Sequence, residues 1–196
     1  MAKKVEIKKA RGNTIVTPAG KALFVSAPQA SQFDATKQEA SIVLSADNKK
    51  VLEAQLKAFI TENAHVIGMD PKAISIPFKE DTDSDGNSTG YYRLKAKTGM
   101  KYPAQFVGAD NKRFTPDEDY QLPNGSDIRL SLTPELIATS MFQGLTLRLN
   151  GIKVLKLSGS YDLGFSDDDE GDYTYDGTSP DTAETVSTTT DDEWED

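Results

Sequence analysis

Cysteine is absent from the 196 residues of this chain, and histidine and tryptophan occur once each, as His65 and Trp194. Without cysteine there are no disulfides, no thiolate metal sites and no thiol nucleophile. His65 has no second histidine to share a metal site with, so we interpret it as a helix-terminal residue. The glycine-rich phosphate loop of NTPases is also missing. These absences leave no candidate catalytic residue, metal site or cofactor, and the chain is predicted not to be an enzyme.

Long apolar segments are missing as well. The longest are short pieces such as residues 22–25, whereas a membrane-spanning helix needs about 20 apolar residues. The basic N-terminus has the charge of the first part of a signal peptide, but the apolar stretch that must follow is not there. We therefore expect a protein that is neither secreted nor bound to a membrane.

Basic residues are missing from one end of the chain only. Residues 162–196 contain fourteen Asp and Glu and no Lys or Arg, so the other 17 acidic residues lie in residues 1–161 beside all 22 basic ones. The body therefore carries a net charge of +5 and the tail −14, which the overall −9 conceals. A basic body joined to an acidic tail suggests a surface for a polyanion and a tail that competes for that surface or binds another partner. The alternative for the tail is that it only keeps the protein soluble.

Composition and charge divide the chain into three predicted segments. Residues 1–19 form a basic N-terminal arm, residues 20–160 a single domain, and residues 161–196 a disordered acidic tail. Strands are predicted over residues 21–26, 40–44, 73–78, 91–97, 127–132 and 144–157, with a bulge or sharp bend at Gly151. One helix is predicted over residues 47–66, with Ser45 or Asp47 as its N-cap and Gly68 as its stop. Its apolar stripe consists of Val51, Leu52, Leu56, Phe59, Ile60 and Ala64.

This order of elements indicates a mainly β fold. Five or so strands with one helix inserted among them are typical of a five-stranded oligonucleotide-binding (OB-fold) barrel. The turn-rich segment from residue 79 to 90 includes Asp81, Asp83, Asp85 and Gly86, which copy the first half of a calcium loop. The twelfth position of that loop would be Tyr92 instead of the required Glu, so we interpret the segment as a hairpin loop and predict no metal site.

A basic and aromatic surface is the positive signal in the sequence. The two-residue period of a strand places Tyr92, Leu94 and Ala96 on one face of residues 91–97 and the cations on the other. Lys and Arg neutralise phosphates, and exposed aromatic rings stack on bases, so such a face is suited to single-stranded nucleic acid. The alternative is an ordinary solvated sheet face. The candidate DNA-binding residues are Tyr91, Arg93, Lys95, Lys97, Lys101, Tyr102, Phe106, Lys112, Arg113, Arg129 and Arg148.

Three stretches and their order give the chain a family resemblance. They are Ile76-Pro-Phe-Lys before an Asp/Gly-rich loop and a basic strand, Gly125-Ser-Asp-Ile-Arg-Leu-Ser-Leu, and Gly144-Leu-Thr-Leu-Arg-Leu-Asn-Gly-Ile-Lys-Val-Leu-Lys-Leu. Together with the acidic tail, they make residues 20–196 resemble the single-stranded DNA-binding proteins of podophages and their relatives. The resemblance implies a barrel cleft that holds single-stranded DNA and a tail that shields it and contacts the replicative DNA polymerase and helicase-primase.

Carried over by position, the resemblance assigns the cleft to the cations from Arg93 to Arg113 and to Tyr91, Tyr102 and Phe106. It assigns partner binding to the tip of the tail, where this chain has Trp194 third from the end and the family's best-known tails end on Phe. The resemblance also implies a place in phage DNA replication, recombination and repair, in the cytoplasm of an infected bacterial host. The tip residues are Asp191, Asp192, Glu193, Trp194, Glu195 and Asp196.

The sequence thus predicts a protein that coats single-stranded DNA without sequence preference. One alternative is an acidic-tailed adaptor or chaperone-like protein in which the tail binds basic proteins and the barrel is only a scaffold. The other is an RNA-binding barrel, because contacts to the 2′-hydroxyl decide between the two nucleic acids. The oligomeric state is left open, with a homodimer among the expectations.

Overall fold

The computed structural model describes residues 8–83, 85–139 and 142–159. Its long elements are the strands β4 (Lys37–Ser45), β6 (Ser88–Gly99), β9 (Asp127–Ala138) and β10 (Gln143–Lys156), and the helix α1 (Ala46–Asn63). The shorter strands are β1 (Lys8–Arg11), β2 (Ile15–Val16), β3 (Gly20–Leu23), β5 (Phe78–Thr82), β7 (Gln105–Val107) and β8 (Arg113–Phe114).

Five of these strands close into a barrel. β9 pairs with β3, β3 with β4, β4 with β6 and β6 with β10, and β10 returns to β9. Of these five pairs, β6 and β10 run parallel and the other four are antiparallel. Buried side chains from each wall fill the interior, among them Ile42, Leu94, Leu130 and Leu149. The predicted five-stranded barrel with one inserted helix is confirmed.

The helix α1 begins at a predicted N-cap and buries most of its predicted apolar stripe. Ser45 is the N-cap, because its hydroxyl accepts a hydrogen bond from the backbone N–H of Asn48 at 3.3 Å. The helix ends three residues earlier than predicted, and a short 3-10 helix, His65–Ile67, leads to Gly68, whose φ of 77° closes the turn. Val51, predicted to belong to the apolar stripe, is exposed. The residues that α1 buries are Leu52, Leu56, Phe59 and Ile60.

The predicted N-terminal arm is partly built into the sheet. β9 is twelve residues long, but β3 pairs with only Asp127 and Ile128 at its start. The rest of that edge is taken by β2, which pairs at Ser131 and Leu132, and by β1, which pairs from Glu135 to Ala138. An exposed strand edge invites pairing, and the arm satisfies it within the same chain. Residues 8–16 therefore contain two short strands, where the sequence predicted an arm.

The strand predicted over residues 73–78 is wrong. Pro71–Ala73 is a 3-10 helix capped by Asp70, whose carboxylate accepts the N–H of Lys72 at 2.9 Å. The strand in this region, β5, begins at Phe78 and uses polar residues that were assigned to a loop. It forms because β6 offers a free edge, on which Phe78 pairs with Leu94 and Thr82 with Ser88. Pairing with β6 therefore makes this segment a strand, although its polar sequence does not favour one.

The predicted bulge at Gly151 is confirmed. The register of β9 on β10 shifts between Leu149 and Gly151, which leaves Asn150 as the extra residue. A Cβ at position 151 would lie 2.8 Å from the carbonyl oxygen of Gln105, so only glycine lets β7 pair with β10 there. Beyond the bulge, the side chains that point outward are those that a strict two-residue period would place inside.

The chain divides at Ser160 into two units, Met1–Ser160 and Tyr161–Asp196. The acidic tail and its predicted tip lie outside the described residues.

Candidate nucleic-acid interface

The outer face of β6 carries the predicted alternation. Leu94 and Ala96 are buried in the barrel, whereas Lys95 and Lys97 are exposed on the outside. The antiparallel register with β4 places Glu39 opposite Lys97 and Ser41 opposite Lys95. Directly opposite residues on an antiparallel pair point to the same face. The outer surface of these two strands therefore combines two lysines with one acidic residue and a serine.

Glu39 holds both lysines. Its carboxylate is only 8% exposed and accepts hydrogen bonds from Lys95 Nζ at 2.8 Å and Lys97 Nζ at 2.7 Å, while the lysine side chains stay about half exposed. Burial alone would raise the pKa of Glu39, but the hydrogen bonds from the two ammonium groups outweigh it and hold the pKa below its usual value. The three groups together carry one net positive charge in a fixed position.

Tyr102 lies beside these lysines, in the loop between β6 and β7. The parallel pairing of β6 and β10 sets Arg148 next to Lys97. The Tyr102 ring is 59% exposed and has two cations over it, with the guanidinium carbon of Arg148 5.3 Å and Lys101 Nζ 5.7 Å from the ring centroid.

The backbone of Tyr102 is fixed at both ends. Its N–H donates to the carbonyl of Gly99, and its carbonyl accepts from the hydroxyl of Thr98, each at 2.9 Å. An open groove of about 500 Å³ runs along this surface. Its walls include Lys95, Lys97, Tyr102, Leu145, Leu147 and Arg148. The groove thus presents a positioned aromatic ring among cations, which is the arrangement that stacks a base and neutralises its phosphate.

The other two residues predicted on β6 lie further along the same face. Arg93 forms an ion pair with Asp81 of β5 at 2.7 Å, and its guanidinium carbon is 6.0 Å from the ring centroid of Phe24. Tyr91 is about half exposed.

The carboxylates of the acidic loop have partners within the protein. Asp81 pairs with Arg93, and Asp83 accepts backbone hydrogen bonds from Asp85 and Asn87 within the hairpin turn. Within the described residues no cluster of three or more acidic or histidine side chains could hold a metal ion.

Phe106 was predicted to stack on bases, and the structure contradicts this. It is 2% exposed, and the rings of Phe114 and Tyr120 pack against it at centroid distances of 5.6 Å each. Burial raises the pKa of Tyr120, in keeping with an apolar cluster. Phe106 follows the buried Ala104 at a two-residue spacing on an inward-facing row, so it belongs to the core.

The remaining predicted cations form a separate cluster. The registers of β9, β10, β7 and β8 align Arg129, Lys153, Val107 and Arg113 in one row across four strands. Within the described part of the chain, Arg113, Arg129 and Lys153 form no ion pair, and Lys153 Nζ donates to the side-chain oxygen of Asn111 at 2.6 Å. Lys112 lies beside Asp110 at 3.5 Å. We call Arg113, Arg129 and Lys153 the second basic row.

Sequence reasoning missed Lys153, Glu39 and Phe24. A strict two-residue period places Lys153 on the same face as the buried Leu147 and Leu149, and only the bulge turns it outward. Glu39 is 56 positions from Lys95 in the chain, so its role depends on strand pairing. The predicted tip of the tail lies outside the described residues, and the structure describes nothing of it.

No protein-family model matches the sequence, and no curated protein matches it significantly. Solved structures share its fold. A single-stranded DNA-binding protein from bacteriophage Enc34, solved as a C-terminal truncation and again in complex with ssDNA, superposes with a TM-score of 0.58 at 11% identity in both cases. The match covers 74% of this chain and 87% of that one. The protein gp2.5, a single-stranded DNA-binding protein encoded by bacteriophage T7, superposes with a TM-score of 0.52 at 14% identity, over 87% of this chain and 98% of that one.

These similarities confirm the predicted fold class, an oligonucleotide-binding barrel with one inserted helix. The structural neighbours are also phage single-stranded DNA-binding proteins, as the sequence resemblance implied. At such low identity the likeness establishes the fold alone. No helix in the described residues is long and apolar enough to cross a bilayer.

Proposed function

We propose that this protein binds single-stranded DNA along the outer face of β6 and the groove beside it, and coats exposed strands without sequence preference. The observation that carries the proposal is the Tyr102 ring, which is exposed and lies beneath Arg148 and Lys101. A base stacks on such a ring whatever its identity, and cations around the ring meet the phosphates on either side of it.

The geometry favours a single strand over a duplex. The bases of a duplex are stacked on one another, so a tyrosine ring reaches a base face only where the strand is unpaired. The basic face of β6 is open in the described part of the chain, which supports a nucleic-acid ligand over a barrel that serves only as a scaffold. One of the structural neighbours was solved in complex with ssDNA, which adds support.

The wider biological role forms part of the proposal. We assign the protein to phage DNA replication, recombination and repair, as a binding protein without catalytic activity, inside the infected host cell. The acidic tail, through Trp194 and its neighbouring carboxylates, would recruit the replicative polymerase and helicase-primase. The net charge of −14 in residues 162–196 supports a tail that attracts basic surfaces.

Fluorescence anisotropy with labelled oligo-dT, a duplex of equal length and oligo-rU tests the proposal. The full-length protein should bind oligo-dT most tightly, and Tyr102→Ala should weaken that binding. Phe142→Ala is the matched control, because Phe142 is also exposed but lies roughly 20 Å from Arg148 along β10. Tighter binding to duplex, or equal binding by the Tyr102 and Phe142 variants, would contradict the proposal. Preference for oligo-rU would favour an RNA ligand, and light scattering on the same samples measures whether the protein is a homodimer.

A further inference from the structure

The end of β3 has an unusual backbone conformation at an exposed aromatic residue. Phe24, directly after β3, has a φ of 50°, in the left-handed region that residues other than glycine rarely enter. Its ring is 66% exposed. A bulky residue held in this conformation at the surface stores strain without gaining a buried side chain. Packing within the barrel therefore does not explain why phenylalanine stands here.

The strained conformation is held in place by its neighbours. The N–H of Phe24 donates to the side-chain oxygen of Asn124 at 2.8 Å, across a separation of 100 residues. On the preceding residue, Leu23 pairs with Ser41 of β4, which pairs in turn with Lys95. Phe24 thus leaves the sheet at the edge of the same outer face that carries the lysines.

The ring of Phe24 has a cation beside it, as Tyr102 has. The guanidinium of Arg93 is 6.0 Å from the centroid of the Phe24 ring. One nitrogen of Arg93 is bound to Asp81, and the Nε–H is buried without a hydrogen-bond partner among the described residues. The Nε–H is closed off from solvent, but the Arg93 side chain as a whole is 32% exposed. The guanidinium N–H groups that Asp81 does not bind can therefore donate to a further acceptor such as a phosphate oxygen.

We infer that Phe24 and Arg93 form a second base-stacking platform, which binds a nucleobase on the Phe24 ring and the adjoining phosphate on Arg93. The inference rests on the proposed function, and it extends the site beyond the Tyr102 groove. Arg93 lies four residues from Lys97 on β6, so the two platforms are roughly 13 Å apart along the strand. A single strand that crosses the face from one ring to the other passes over Lys95 and Lys97.

Three substitutions at position 24 of the full-length protein separate stacking from structure. Phe24→Ala and Phe24→Gly both remove the ring, and each should weaken binding to oligo-dT by about 5- to 150-fold, the loss expected for one stacked base. Phe24→Trp should retain binding. Because glycine accepts a positive φ without strain, Phe24→Gly should have a higher thermal midpoint than Phe24→Ala while it binds no better. Phe142→Ala is the control for the loss of an exposed phenylalanine.

Crosslinking of the unmodified protein provides a second measurement that needs no variant. Oligo-dT with single 5-iodouracil substitutions, irradiated and mapped by mass spectrometry, should label the peptides that contain Phe24 and Tyr102. If the Phe24 variants bind like the wild type and only the Tyr102 peptide is labelled, the second platform is wrong and the proposed function stands. If the wild-type protein does not bind oligo-dT, the proposed function fails, and the inference fails with it.

Discussion

The buried carboxylate of Glu39 accepts a hydrogen bond from Lys95 at 2.8 Å and, through its second oxygen, one from Lys97 at 2.7 Å. A phosphate that approaches the lysines must share them with this carboxylate. Glu39 therefore has two opposing effects on DNA binding. It orders the lysine side chains, and its negative charge lowers the net positive charge of the groove by one.

Replacing Glu39 by Gln should separate these effects. The loss of two charge-assisted hydrogen bonds to half-exposed lysines should lower the free energy of unfolding by about 1–2 kcal/mol at pH 7. Affinity for oligo-dT should nevertheless rise several-fold at low salt, because the net charge of the groove becomes one unit more positive. Chemical denaturation measures the stability and fluorescence anisotropy measures the affinity. Glu53→Gln is the control, because it frees two lysines on α1, away from the groove. Weaker DNA binding in Glu39→Gln would show that ordering the lysines matters more than the charge.

The stability difference should also depend on pH. The pKa of Glu39 is lower in the folded protein than its ordinary value of 4.5, so its contribution to stability is complete above that value. It is lost as the pH falls through the folded-state pKa. The wild type and Glu39→Gln should therefore differ by a constant amount above about pH 5.5 and converge in more acidic solution. A difference that grows as the pH falls would contradict this assignment.

The two aromatic residues Tyr102 and Phe106 should respond in opposite ways. Tyr102→Ala should weaken binding to oligo-dT by about 1–3 kcal/mol, since it removes a stacking surface, and leave the thermal midpoint nearly unchanged. Phe106→Ala should lower the free energy of unfolding by about 3–5 kcal/mol, because it opens a cavity against Phe114 and Tyr120. Thermal melts and titrations on both variants measure this. A stable Phe106→Ala protein with impaired binding would restore the original prediction for Phe106.

Much of the barrel could be predicted from the sequence, because its signals are local. The alternation of residues 91–97, the Ser45 cap and the position of Gly151 all depend on near neighbours. What the sequence does not reveal depends on pairing between distant segments. β5 forms from polar residues because β6 offers an edge, and Glu39 of β4 contacts Lys95 of β6 only because these two strands pair. Phe106 illustrates a different limit. In the sequence, an aromatic residue among cations has the same pattern whether its ring packs in the core or is exposed to stack on a base.

The salt dependence of binding distinguishes the groove from the second basic row. Each phosphate contact that is lost should lower the slope of log K against log salt by about 0.7 for a single strand. Arg148→Gln and Lys97→Gln should each reduce the slope by about that amount. If the DNA path extends past the bulge, Arg129→Gln and Lys153→Gln will do the same, and otherwise their slopes will match the wild type. Lys50→Gln, on the exposed side of α1, is the control. Reduced affinity without a change of slope at Lys97 would mean that this lysine does not contact phosphate.

The acidic tail is predicted to compete with DNA for the basic face. Residues 162–196 carry fourteen negative charges and are covalently joined to a body of net charge +5. A segment of the same chain has an effective concentration on the order of millimolar, so even a weak contact with the cations of the cleft would occupy part of them in the absence of DNA. Salt weakens this contact and DNA binding alike, so the competition should be strongest at low ionic strength.

Removing or neutralising the tail should therefore tighten binding to oligo-dT at low salt and change it little at high salt. We would compare the full-length protein with a chain that ends at residue 161 and with a full-length variant whose tail carboxylates are changed to amides. The amide variant keeps the length of the tail, so agreement between the two altered proteins would assign the effect to charge. Trp194 is the only tryptophan in the chain, and its fluorescence should change as oligo-dT displaces the tail. Equal affinities for all three proteins at low salt, with a Trp194 signal that DNA does not alter, would leave the tail with no role in DNA binding beyond solubility.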